Sequence, residues 1–150
     1  MGDEEQKSRV ELGVFHQFVR DSGLAVIEGT VEKRLPPEPD ILCELQGEGE
    51  VHFELAEACA PEFAELRSRS SGDGAFAWGA DVTADTLKKK LGKRYDVSGP
   101  VELLIFTNAA TALPDDVLIP RLRPVVESGI GQFRRVWLFG DAVHELATCN

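Results

Sequence analysis

The chain has 150 residues, 43% apolar and 28% charged, which suits one globular domain over residues 1–150 and excludes a disordered chain. No apolar run approaches the roughly eighteen residues that span a membrane, and the acidic start Met1-Gly2-Asp3-Glu4-Glu5 lacks the layout of a signal peptide. The net charge is -10, and it opposes long-range attraction of nucleic acid.

That charge is unevenly placed. Residues 1–57 hold 14 acids against 5 bases, whereas residues 58–95 hold 7 bases against 5 acids. Only the middle of the chain therefore offers a basic contact to a nucleic acid. The three cysteines, Cys43, Cys59 and Cys149, are an odd number without a CxxC pair, as expected of a soluble protein in a reducing cytoplasm.

The spacing of Val10, Val14, Phe15, Phe18 and Val19 predicts a helix over about Asp3–Asp21. Acids in its first turn suit the helix dipole, and Gly23 follows its end. Leu24–Val31 reads as a strand, and Leu35-Pro-Pro-Glu-Pro39 as an extended connector. Two strands, Asp40–Gln46 and Glu50–Ala56, then flank a loop of Gly47-Glu48-Gly49. With Gln46 facing Glu50, Asp40 lies across from Ala56, and Asp40 and Glu54 project to one side of the sheet. A two-residue loop would put them on opposite faces.

Beyond Glu57, Pro61–Arg69 reads as a short helix and Ser70–Gly74 as a loop. Thr83 caps a helix running to about Tyr95, rich in Lys88, Lys89, Lys90 and Lys93. Val101–Thr107 is a near-continuous apolar run, the mark of a buried strand. Pro114–Val126 reads as a helix that Pro120 and Pro124 kink or shorten. Phe133–Phe139 and Asp141–Ala147 close the chain as two strands around Gly140. The predicted architecture is α/β, a mixed central sheet flanked by helices in the order αβββαβαββ.

Several chemistries lack their residues. There is no phosphate-binding P-loop and no GxGxxG after a strand. His16, His52 and His144 have no zinc-ligand spacing, no serine sits in GxSxG, and Cys43 and Cys59 read as small core residues. Trp78 and Trp137 read as packing residues, and Arg134 or Arg135 as a partner of Glu102 across the sheet.

The carboxylates are more informative. Pro39-Asp40-Ile-Leu-Cys-Glu44 is followed by Phe53-Glu54-Leu-Ala-Glu57, then Lys90-Leu-Gly-Lys93-Arg94-Tyr95, then Phe133–Phe139. This series resembles the restriction-endonuclease-like, or PD-(D/E)XK, nuclease superfamily over about residues 3–140. The resemblance implies a restriction-endonuclease-like core and a divalent-metal-dependent nuclease or phosphodiesterase. It implies Asp40, Glu54 and the Leu55 carbonyl as ligands of Mg²⁺ or Mn²⁺, with Glu11 and Glu57 as further carboxylates. In the family a lysine follows two residues after the second carboxylate, where it orients water and offsets phosphate charge. Here that position is Ala56, so Lys90 or Lys93 is the expected substitute, with Lys89, Lys93 and Arg94 contacting substrate. DNA and RNA are not distinguished.

Blander readings stand beside these. Asp40 after a proline suits a strand start, Glu54 the polar side of a strand, and the lysines a solvated helix face. The missing lysine and the acidic first third of the chain also suit a catalytically inactive member of the fold. Such a protein would bind a basic protein, in the manner of an immunity protein or inhibitor.

Overall fold

The computed structural model describes residues 2–58, 84–107 and 114–149. They build an α/β structure with one six-stranded mixed sheet and three helices. Helix α1 (Gly2–Ser22) precedes strands β1 (Glu32–Lys33), β2 (Ile41–Leu45) and β3 (Gly49–Ala58). Helix α2 covers residues 84–91. Strand β4 (Val101–Thr107), helix α3 (Asp115–Glu127) and strands β5 (Phe133–Phe139) and β6 (Val143–Thr148) follow.

The strands lie side by side in chain order. Pairing is antiparallel from β1 to β3, parallel from β3 to β5, and antiparallel again at β6. Parallel neighbours require crossovers, and two crossovers of one hand advancing in one direction put their helices on the same face. Leu87 and Leu91 of α2 accordingly share a core with Leu118, Leu122 and Val126 of α3. The opposite face belongs to α1, whose Phe15 and Phe18 are fully buried against Phe53, Leu104 and Trp137. The Phe15 and Phe53 ring centroids are 4.9 Å apart. Each such ring buried stabilises the fold by about 1.5–3 kcal/mol relative to leaving it in water.

Five expectations change. Leu24–Val31 is not a strand: only Val26 makes a bridge, to Leu45. A turn closed by Thr30 N–H to the Ile27 carbonyl, with Gly29 at φ +84°, breaks the extended run. The first paired strand is instead the two-residue β1, opposite Ile41 and Leu42. The hairpin loop has three residues as expected, but they are Gln46-Gly47-Glu48, and Leu45 pairs with Gly49. In that register Ile41 faces Phe53, so Asp40 falls level with Glu54 rather than Ala56.

The lysine-rich helix ends at residue 91 and not near Tyr95, with Gly92 in the turn that follows. Lys93 consequently leaves the helix. The prolines of α3 do not shorten it. Pro114 takes the N-cap place, where its missing N–H costs nothing, and the helix continues through Pro120 and Pro124 for 13 residues. The last strand runs Val143–Thr148 rather than from Asp141. Cys59, Trp78, Thr83, the Pro61–Arg69 helix and the Ser70–Gly74 loop lie outside the described residues. No described helix is long and apolar enough to cross a membrane.

Candidate active site

Asp40 stands just before β2, at the end of a loop that is tied at both sides. Arg34 N–H donates to the Asp40 carbonyl at 2.8 Å, and the Arg34 guanidinium clamps Glu38 through two 3.0 Å bonds. Glu54 lies in the middle of β3, 4% exposed. The two carboxylates grip each other's backbone. Leu55 N–H donates to Asp40 Oδ2 at 2.9 Å, and Asp40 N–H to Glu54 Oε1 at 3.3 Å. Adjacent strands in this register thus bring them together on one side, as the three-residue loop requires.

Each carboxylate has its own lysine. Lys90, reaching in from α2, donates to Glu54 Oε2 at 2.5 Å. Lys33 on β1 approaches Asp40 Oδ1 to 3.4 Å and pairs with Glu11 Oε1 of α1 at 3.1 Å. The Glu11 oxygen is buried and receives this charge without an aligned hydrogen bond. Burial first, and then the neighbouring Asp40 charge, raise the Glu11 carboxyl above its ordinary range. Burial works against the Lys33 ammonium, but Glu11 and Asp40 outweigh it and hold its pKa above the usual lysine value.

Tyr95, in the segment that follows the lysine helix, stands near Glu54. It is 5% exposed, and its phenol is pushed well above the ordinary range by burial and then by the Glu54 charge. At neutral pH it stays protonated, as a neutral O–H close to a carboxylate. Its backbone is fixed by Gln132, which accepts from Tyr95 N–H and donates to its carbonyl.

Glu11 and Lys90 open on a cleft of about 480 Å³ between α1, β3 and α2, whose walls also include Leu55, Ala56, Glu57 and Phe106, with Asp40 and Glu54 behind these residues rather than on the wall itself. Ala56, where the resemblance expects a lysine, is only partly buried and lines this space together with Lys90. Of the two lysines proposed as its substitute, Lys90 reaches the carboxylates. Lys93 does not: its Nζ sits over the Tyr95 ring, 5.1 Å from the centroid. Lys89 and Arg94 are exposed. Lys89 and Lys93 line a separate groove of about 530 Å³ that shares Thr86 and Lys90 with the cleft.

Lys33 escapes sequence reasoning, since it precedes the proline-rich connector with no spacing rule to single it out; Tyr95 ends the Lys90–Tyr95 motif but has no role attached to it there. Among the described residues, no group of three or more histidine, cysteine, aspartate or glutamate side chains is disposed to cage a metal ion. The three histidines and Cys43 are placed elsewhere. His16 is exposed, His52 is buried in β3 with its pKa lowered by desolvation, and His144 pairs with Asp115 at 2.9 Å. Cys43 is 1% exposed, and burial with the nearby Glu102 charge pushes its thiol up to about 12, which leaves it unreactive. Comparison with known protein families, with curated proteins and with solved structures gives no match to this chain.

Proposed function

We propose that this chain is a divalent-metal-dependent phosphodiester hydrolase, a nuclease of the PD-(D/E)XK type whose catalytic lysine has moved from the third strand to helix α2. The observation that carries this reading is the Lys90 ammonium, 2.5 Å from Glu54 Oε2 and on the wall of the cleft where Ala56 stands. A lysine supplied by α2 meets the same chemical need as one at position 56. It places a positive charge and three N–H donors beside the acidic pair.

The residues fit the implied cation. Mg²⁺ keeps several waters and takes only one or two protein carboxylates. Asp40 and Glu54 offer two, on one side of the sheet and tied to one stretch of backbone. They would hold the ion, with the Leu55 carbonyl as the backbone donor that the resemblance assigns. Once bound it would supply a more acidic water and neutralise charge at the scissile phosphate. The chain's own residues do the rest. Lys90 fixes Glu54 and offsets phosphate charge. The buried Tyr95 phenol stays neutral and adds no negative charge beside the phosphate. The grip of Asp40 on Leu55 N–H holds β2 and β3 in the register that the pair needs.

The test is hydrolysis of single- and double-stranded DNA and RNA with Mg²⁺ or Mn²⁺, against an EDTA control and Lys90→Ala. The proposal expects cation-dependent cleavage of at least one substrate, reduced roughly 10²–10⁴-fold in Lys90→Ala, the span usual for a positioned proton donor or acceptor. Intact substrates throughout, or unchanged cleavage by Lys90→Ala, would overturn it. The inactive, acidic protein-binding form of the fold would then be the better reading.

A further inference from the structure

The two lysines of the site are held differently. Among the described residues Lys90 has a single carboxylate partner, and its side chain is 27% exposed on the cleft wall. Lys33 sits among three oxygens from three parts of the chain: Glu11 Oε1 at 3.1 Å, Asp40 Oδ1 at 3.4 Å and the Arg34 carbonyl at 3.4 Å. Its partner Glu11 is 95% buried, since 5% of it is exposed. A compact ammonium ringed by oxygens occupies the kind of surroundings that suit a small cation, and it neutralises two carboxylates that would otherwise repel each other.

The position of Lys33 is also built rather than accidental. Strand β1 has only two residues, and Lys33 pairs there with Ile41, next to Asp40. The Arg34 N–H to Asp40 carbonyl bond locks the same corner. The ammonium is thereby delivered to Asp40 by the backbone itself.

We propose that Lys33 is a positioning residue that serves as a resident cation, holding Glu11 and Asp40 in place and competing with a divalent ion for Asp40. This rests on the metal-dependent reading of the site. Lys33 keeps the acidic corner assembled before the ion arrives and withdraws from Asp40 toward Glu11 when it does. It therefore sets how much cation the site needs, whereas Lys90 serves the reacting phosphate.

Mn²⁺ titration calorimetry on the wild type, Lys33→Met and Lys33→Arg, with melting curves in EDTA and in Mn²⁺, separates the possibilities. Lys33→Met is expected to bind Mn²⁺ roughly ten-fold more tightly than wild type, because a like charge beside the ligand has been removed. Lys33→Arg keeps the charge and the wild-type affinity. In EDTA, Lys33→Met melts lower than wild type and gains more from added Mn²⁺. The double variant Glu11→Gln/Lys33→Met recovers the melting temperature, and it carries the affinity comparison if the single variant does not fold. Wild-type binding that Lys33→Met matches or weakens would overturn the role of Lys33 and leave the metal site standing. No binding by wild type or by either methionine variant would overturn both.

Discussion

Glu54 and Glu102 are buried glutamates on neighbouring strands of one sheet, and their surroundings treat them in opposite ways. Glu102 is fully buried beneath α1 and receives Arg134 Nε and Nη2, Arg135 Nε and Trp137 Nε1 at 2.5–3.0 Å. Three of these donors reach Oε2 and one reaches Oε1, all from strand β5. Glu54, on the opposite face, takes one backbone N–H and one lysine among the described residues, with the Tyr95 hydroxyl nearby, and that lysine lines an open cleft. A buried carboxylate saturated by rigid donors holds a fold together. A buried carboxylate held by one flexible amine at a cleft is available for chemistry. Burial alone does not separate the two cases; the number of partners and the nearness of a cleft do.

The sharpest way to break this comparison is Glu102→Ala. It leaves an indole N–H and two guanidinium groups without their shared acceptor, though Arg134 keeps Glu48 and both arginines reach water, and it should cost about 3 kcal/mol in urea unfolding. Hydrolysis by whatever fraction stays folded should be little changed. The mirror experiment is Glu54→Gln, which should cost about 1 kcal/mol of stability, since the partly exposed Lys90 amine can turn to water. Hydrolysis should nevertheless fall at least about 100-fold, as expected when a positioned carboxylate is lost from a reacting centre. Equal effects of the two substitutions on stability would erase the distinction.

Asp115 makes a third, intermediate case. It is 8% exposed and accepts from Asp141 N–H, Ala142 N–H and His144. Burial alone would raise its pKa, but these donors prevail and hold it below the ordinary 3.8. A carboxylate depressed in the fold adds stability that is present above its unfolded value and lost as the pH falls through its folded value. Asp115→Asn should therefore be about 1 kcal/mol less stable than wild type at neutral pH. In unfolding curves that gap should close as the pH drops below 3.8. A gap that stays constant would show that the charge of Asp115 is irrelevant. The smallest effect belongs to Lys93, which leans on Tyr95. Lys93→Ala should leave cleavage of a short substrate within about three-fold and lower the salt dependence of nucleic-acid binding by about one phosphate contact.

Patterns of short range were legible in the chain. The period of Phe15 and Phe18 announces a helix with one buried stripe, and the apolar run 101–107 a central strand. The parity of the hairpin loop carried the convergence of Asp40 and Glu54 even though its boundaries moved by one residue. That is because a loop of odd length keeps opposed side chains on one side whichever odd register forms. A pairing of Arg134 or Arg135 with Glu102 was also readable, and both arginines make it. Contacts that depend on where a helix stops were not. One turn more of α2 would carry Lys93 on the helix, and with its end at residue 91 it is Lys90 that reaches Glu54. Lys33 was invisible because its strand has two residues, too few for any periodicity, and its partners lie 22 residues before it and 7 after it.

The central claim is that Asp40 and Glu54 form the metal end of a hydrolytic site, and the most direct measurement is calorimetric titration of Mn²⁺ into wild type and Asp40→Asn. The asparagine retains an oxygen to accept Leu55 N–H, so the hairpin geometry survives while one ligand charge is removed. The account predicts saturable binding by wild type and a loss of roughly ten-fold or more in Asp40→Asn. Binding that is absent from the wild type, or identical in the two proteins, would contradict it.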